Sequence, residues 1–101
     1  MRNVRLSKAA VRDLLGIDIY TFEQWGEDQA EKYLFQLQQC IQRLAENPHL
    51  GRECGYVTTG LRRFEQGRHI VFYRLKKNDL VVSRILHQSM LVERRLFVES
   101  D

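Results

Sequence analysis

Two histidines and a run of arginines in the second half of the chain are the residues whose types could do chemistry. They are His69 and His87 with Arg62, Arg63, Arg68, Arg74 and Arg84. Cleavage of RNA needs a base to take the 2′-hydroxyl proton, positive charge on the phosphorane and an acid for the leaving oxygen. An ordinary histidine titrates near 6.5 and can serve as either proton carrier. The spacing argues against that use. Arg84 and His87 lie three residues apart in "RILHQSM", and strand alternation sends them to opposite faces unless a bulge intervenes. One phosphate cannot be gripped from both faces. The segment after His87, "QSMLVERRLFVESD", holds no tyrosine, histidine or lysine. No catalytic residue is therefore assigned. His87 is expected to close a strand and bond a neighbouring backbone group or loop. His69 is expected to be a half-exposed strand residue.

The same side chains suit binding better. Arg62, Arg63, Arg68, Arg74, Arg84, Arg94 and Arg95, with His87, would give the C-terminal portion a basic, target-binding face, because arginine supplies most of the positive charge of the second half. With 16 Lys and Arg against 13 Asp and Glu, the net charge of +3 permits an acidic partner without demanding one. No helix carries a basic face suited to a major groove, so direct operator recognition is not expected of this chain. Cys40, Cys54 and the histidines lack tight ligand spacing, so neither a metal nor a cofactor is assigned. The two cysteines are expected to stay reduced. "MRNVRLSKAAVRDLL" carries charges where a signal peptide would be apolar, and no run approaches a membrane span. A cytoplasmic location follows as the expectation.

The elements that must position these residues are legible in outline. At 101 residues the chain suits a single domain, residues 1–101, and its 44% hydrophobic content is that of a folded one. "NVRL" alternates as a short strand, and Ser7 is placed to cap a helix. That helix is expected to run to Trp25 and to end at Gly26 in a left-handed conformation, with Trp25 as a core or hairpin anchor. Glu27 and Asp28 open a second helix, whose stripe is Ala30, Tyr33, Leu34, Leu37, Ile41 and Leu44. Asn47-Pro48 stops it. Residues 48–60, rich in glycine, are expected to be a loop. "LRRFEQ", "RHIVFYRLKK" and "LVVSRILH" then read as strands, the last two joined by a turn at "KND". Both faces of "HIVFY" are apolar, so that strand should be central. The order is β-α-α-β-β-β with a C-terminal tail or short helix. It predicts an α+β domain with a helical hairpin on one face of a small, antiparallel-rich sheet of about four strands.

The first helix carries more apolar residues than one buried face needs. Ile17, Ile19 and Tyr20 spread the set around the cylinder, so one side is either covered by the sheet and second helix or left for a partner.

Several pieces in series resemble the ParE toxins of type II toxin–antitoxin systems, in the RelE/ParE superfamily. They are Trp25-Gly26 with Gln29-Ala30 and Tyr33, Asn47-Pro48 with Leu50-Gly51, Gly67-x-His69 with Phe72-Tyr73-Arg74, and Leu86-His87-Gln88 with Met90. The resemblance runs from Leu6 to about Arg94. It implies the RelE/ParE-like fold and a non-catalytic poison of DNA gyrase that blocks replication. It also implies a ParD-like antitoxin with a ribbon-helix-helix N-terminal half and a C-terminal segment that wraps the toxin. Leu15, Ile19 and Phe22 are the antitoxin contacts expected on the first helix. The competing activity in the superfamily is ribosome-dependent mRNA cleavage by RelE-like toxins.

Overall fold

The computed structural model describes residues 2–98. Strand β1 (Asn3–Leu6) leads into α1 (Lys8–Trp25) and α2 (Glu27–Glu46). Strands β2 (Arg52–Glu53), β3 (Arg62–Gln66), β4 (His69–Lys76) and β5 (Asp79–His87) follow, and Arg94–Phe97 form a 3₁₀ helix. The sheet has five strands in the order β1-β5-β4-β3-β2, with β1 parallel to β5 and the remaining pairs antiparallel. The sequence pointed to about four strands. The addition is β2, two residues inside the expected loop, which pair Arg52 with Arg63 and Glu53 with Arg62. A two-residue strand has no periodicity to read.

Ser7 caps α1 as expected. Its hydroxyl accepts the Ala10 N–H at 3.0 Å and donates to the Ser83 carbonyl at 2.7 Å. The cap therefore also fixes the start of α1 to β5. Gly26, at φ +93°, both ends α1 and opens α2. Its ψ of 176° is extended, so the joint is not the left-handed cap expected. Trp25 is 65% exposed and is no core anchor.

Phe72 pairs with Arg84 but Tyr73 pairs with Val82, so Ser83 is an extra residue in β5. This bulge shifts the phase of the strand. Leu80, Val82 and Ile85 all join the core under the helices, together with Leu37, Leu44, Val71 and Tyr73. Leu86 joins Ile70, Phe72, Cys54, Leu61 and Phe97 in a second core on the other face. The central strand β4 thus feeds both cores, which is why both faces of "HIVFY" are apolar. Cys40 lies in the first core and Cys54 in the second, with the sheet between them, and both thiols are free.

Residues 48–51 dock on β4 through Tyr73. Its hydroxyl donates to the Pro48 carbonyl at 2.6 Å and accepts the Gly51 N–H at 3.0 Å. A Cβ at Gly51 would come within 2.4 Å of that hydroxyl and 2.7 Å of the Arg63 carbonyl oxygen. The second of these is backbone and cannot swing aside. Gly51→Ala should therefore lower stability by about 1–3 kcal/mol, read by urea denaturation. An unchanged midpoint would show that the loop relaxes freely.

Candidate functional site

The arginines that the sequence offered as one cationic face are mostly engaged within the fold. Arg62, on β3, gives two hydrogen bonds to the Gly51 carbonyl at 3.1 and 2.7 Å and lies 3.5 Å from Glu53. Arg63 sits over the Phe72 ring at 5.5 Å and 3.6 Å from Glu65. Arg74 reaches the Thr59 carbonyl and the Thr58 hydroxyl. Arg84 makes a bidentate pair with Asp13 of α1, at 2.8 and 2.9 Å, and donates to the Leu96 carbonyl at 2.9 Å. Asp13 also accepts the Ile85 N–H at 2.9 Å, taking the place of a strand partner beyond the end of β1. Arg62, Arg74 and Arg84 tie loops, helix and C-terminal segment to the sheet, and the contacts of Arg63 stay within it. Arg68 and Arg94 are exposed, as is Arg95, which pairs with Glu93 at 2.9 Å.

The guanidinium groups of Arg63, Arg52, Arg74 and Arg62 lie near the fully buried Cys54. Burial nevertheless pushes its thiol above the ordinary value, outweighing their pull. A thiol held protonated is a poor nucleophile. Among the described residues no group of three or more His, Cys, Asp or Glu is placed to hold a metal ion.

The histidines meet at the far end of the β4–β5 ladder. His69 pairs with His87 across it, and their rings stand edge-to-face at 5.4 Å. Arg84 pairs with Phe72 three residues earlier, so alternation holds from Arg84 to His87 and keeps them on opposite faces. His87 Nδ1 accepts the Ser89 N–H at 3.1 Å and lies 2.8 Å from the Ser89 hydroxyl. His69 Nδ1 is 2.6 Å from the hydroxyl of Tyr33, on α2, which accepts the Arg68 N–H at 3.1 Å. Burial, followed by the charge on His87, holds His69 below the usual histidine value, against a smaller opposite pull from Asp13. Burial raises the Tyr33 phenol. Both Nδ1 atoms are thus engaged internally, and Arg84 is committed elsewhere. Tyr33 is the residue that sequence reasoning missed as a polar partner. It stood in the apolar stripe of α2, and nothing local distinguishes it from its neighbours there.

The expected docking residues of α1 do share a face. Ala10, Ile17 and Thr21 point into the fold, whereas Leu15, Ile19 and Phe22 are 58%, 59% and 56% exposed. Val11, also exposed, extends the same stripe by one turn. The spacing i, i+4, i+8, i+11 is that of an apolar helix face, here turned to solvent. A cleft of 340 Å³ separates the start of α1 from the C-terminal segment. The Asp13–Arg84 pair lines it together with Arg12 and Arg95. Glu99, Ser100 and Asp101, the end of the expected tail, lie outside the described residues.

Residues 4–92 match the family model described as "ParE toxin of type II toxin-antitoxin system, parDE". The chain is 45% identical over 92 residues to a protein named Toxin ParE1 from Mycobacterium tuberculosis, covering 90% of this chain and 94% of that one. Among solved structures it superposes on the chromosomal ParDE system from P. aeruginosa, with TM-score 0.74 and 19% identity over 86% of this chain and 96% of that one. It also superposes on the RelBE2 toxin–antitoxin complex from Mycobacterium tuberculosis, with TM-score 0.58 and 19% identity over 85% of this chain and 96% of that one. The two superpositions establish the RelE/ParE fold. With the family match covering most of the sequence, the chain belongs to the ParE toxin family of type II toxin–antitoxin systems.

Proposed function

We propose that this toxin acts in the cytoplasm by binding DNA gyrase, without catalysis, and so blocks replication. A ParD-like antitoxin neutralises it. The observation that carries this reading is where the polar groups of the candidate centre are spent. A phosphodiester nuclease needs a proton carrier and a free cation around one phosphate. Here the arginine of β5, Arg84, is paired with Asp13 and lies on the face opposite both histidines. What the surface offers instead is contact area: the α1 stripe, Met90 and Leu91 of the C-terminal segment, and the exposed Arg68, Arg94 and Arg95.

The antitoxin's C-terminal segment, folding as it binds, covers Leu15, Ile19 and Phe22. Its ribbon-helix-helix half supplies operator recognition, which this chain lacks. The target-binding residues are Arg68, Arg94, Arg95 and the C-terminal segment from Gln88, with Arg62, Arg63, Arg74, Arg84 and His87 holding that surface in shape. The fold is shared with the RelBE2 complex, and the Tyr33–His69–His87 group beside Arg68 is the one observation that favours the second reading, ribosome-dependent mRNA cleavage. Alanine replacement of Arg68, Arg94 and Arg95 together separates the contributions. Growth arrest on expression should weaken by at least about tenfold in the inducer needed, with the melting temperature unchanged. Full toxicity in that triple variant would remove the exposed arginines from the working surface.

A further inference from the structure

The histidine group is joined to more of the molecule than a strand end requires. Tyr33 comes from α2, Arg68 from the β3–β4 turn, His69 from β4, His87 from β5 and Ser89 from the C-terminal segment. Gln88 donates its N–H to the Arg68 carbonyl at 2.8 Å, and the Arg68 N–H donates to the Tyr33 oxygen at 3.1 Å. A Cβ at Gly67 would meet the Tyr33 ring at 2.9 Å, so the turn is pressed against that ring. The C-terminal segment thus leaves the sheet through a point fastened to α2. We infer that Tyr33, His69 and His87 form an acid-sensitive latch that fastens the start of the C-terminal segment to the helical hairpin.

The Tyr33 oxygen accepts the Arg68 N–H, and its own proton has two acceptors in reach, His69 Nδ1 at 2.6 Å and the Gln66 carbonyl at 3.4 Å. The shorter contact takes it when His69 is neutral with its proton on Nε2. Protonation of Nδ1 reverses that bond: Nδ1–H donates to the Tyr33 oxygen, which then holds two donors and turns its own proton to the more distant carbonyl. The imidazolium would then lie against the His87 ring, with Arg68 at the turn as a further cation. Asp13 is the acidic group that acts on His69, and it is already bound to Arg84 and the Ile85 N–H. Burial and the neighbouring His87 outweigh that pull, which keeps the affinity of His69 for a proton depressed. Because the folded form binds that proton less readily than the unfolded chain, the contribution to stability is full above about pH 6.5 and is lost as pH falls through the folded value. The strain is local, at the point where Gln88 leaves β5.

The test is native-state hydrogen exchange on the full-length protein from about pH 8 to about pH 5. The expected result is a fall in protection at the Gln88 amide on the order of tenfold, with the Leu37 amide in the α2 core unmoved. In His69→Gln the Gln88 protection should be flat with pH. A flat wild-type profile, or an equal fall in both proteins, overturns the latch. Should His69→Gln not fold, Tyr33→Phe gives the second readout by NMR titration of His69. Loss of the hydroxyl donor should raise its midpoint, and an unmoved or lower midpoint overturns the proposal.

Discussion

Arg84→Ala will lower the melting temperature by more than about 10 °C, and Asp13→Ala will do the same. The pair is nearly enclosed: the Arg84 side chain is 20% exposed and that of Asp13 12%. Removing either partner takes away two parallel charge-assisted bonds in a largely desolvated place, a defect that costs about 3–5 kcal/mol in buried pairs. Two further bonds depend on the pair. Asp13 terminates the open edge of β5 at Ile85, and Arg84 holds the Leu96 carbonyl of the C-terminal segment. Arg84→Lys should recover little, because an ammonium cannot reproduce two parallel bonds to the carboxylate. Thermal melts of the two single variants and the double variant form the test. The double variant should be far less destabilised than the sum of the singles. Additive or negligible losses would mean that water replaces the pair without penalty. If Arg84→Ala is destabilised as expected, a loss of toxicity in that variant reports a damaged fold, not a lost target contact.

Combined replacement of Leu15, Ile19 and Phe22 by alanine will weaken the complex with the antitoxin by a factor on the order of a thousand or more. Each side chain is more than half exposed in the free chain, so each has apolar area left to bury. An anchor that fills a groove commonly contributes about 1–2 kcal/mol on truncation, and three lie along one helix face. The same exposure means that the free toxin should lose little stability, within about 0.5 kcal/mol per site. Tyr20 is the internal control. It is equally exposed but stands about 100° round the helix from Ile19, and Tyr20→Ala should leave affinity within about threefold. Calorimetric titration of purified toxin with antitoxin checks both arms. Unchanged affinity in the triple variant would move the interface off α1.

The helical hairpin was legible in the sequence because its punctuation is local. Ser7 caps, Gly26 joins and Asn47-Pro48 stops, each within a residue or two of where the elements end. The central position of β4 was legible because both its faces are apolar, and a strand buried on both sides has to be covered on both. The bulge at Ser83 was not, since an extra residue in a ladder shows only against its partner strand. Nor was the use of the arginines. Composition locates charge, but whether a guanidinium meets solvent depends on which carbonyl folds back toward it. The Gly51 and Thr59 carbonyls arrive from a loop and the Leu96 carbonyl from the short C-terminal 3₁₀ helix, segments whose course no periodicity encodes. The apolar excess of α1 was visible, and the structure sorts it into buried Ile17 and exposed Leu15, Ile19 and Phe22. For Trp25 the size of the side chain argued for burial, and the helix turned it outward instead.

Fold alone does not separate a gyrase poison from an mRNA nuclease, because one scaffold can carry either site. The side chains must do the separating, and here Arg84 is paired with Asp13 on the face opposite the two histidines. The most direct measurement adds purified toxin to gyrase with supercoiled DNA, and in parallel to programmed ribosomes. Cleaved DNA covalently held by gyrase should accumulate, while the mRNA stays intact. Codon-specific cuts in ribosome-bound mRNA with no effect on gyrase would contradict the proposed function.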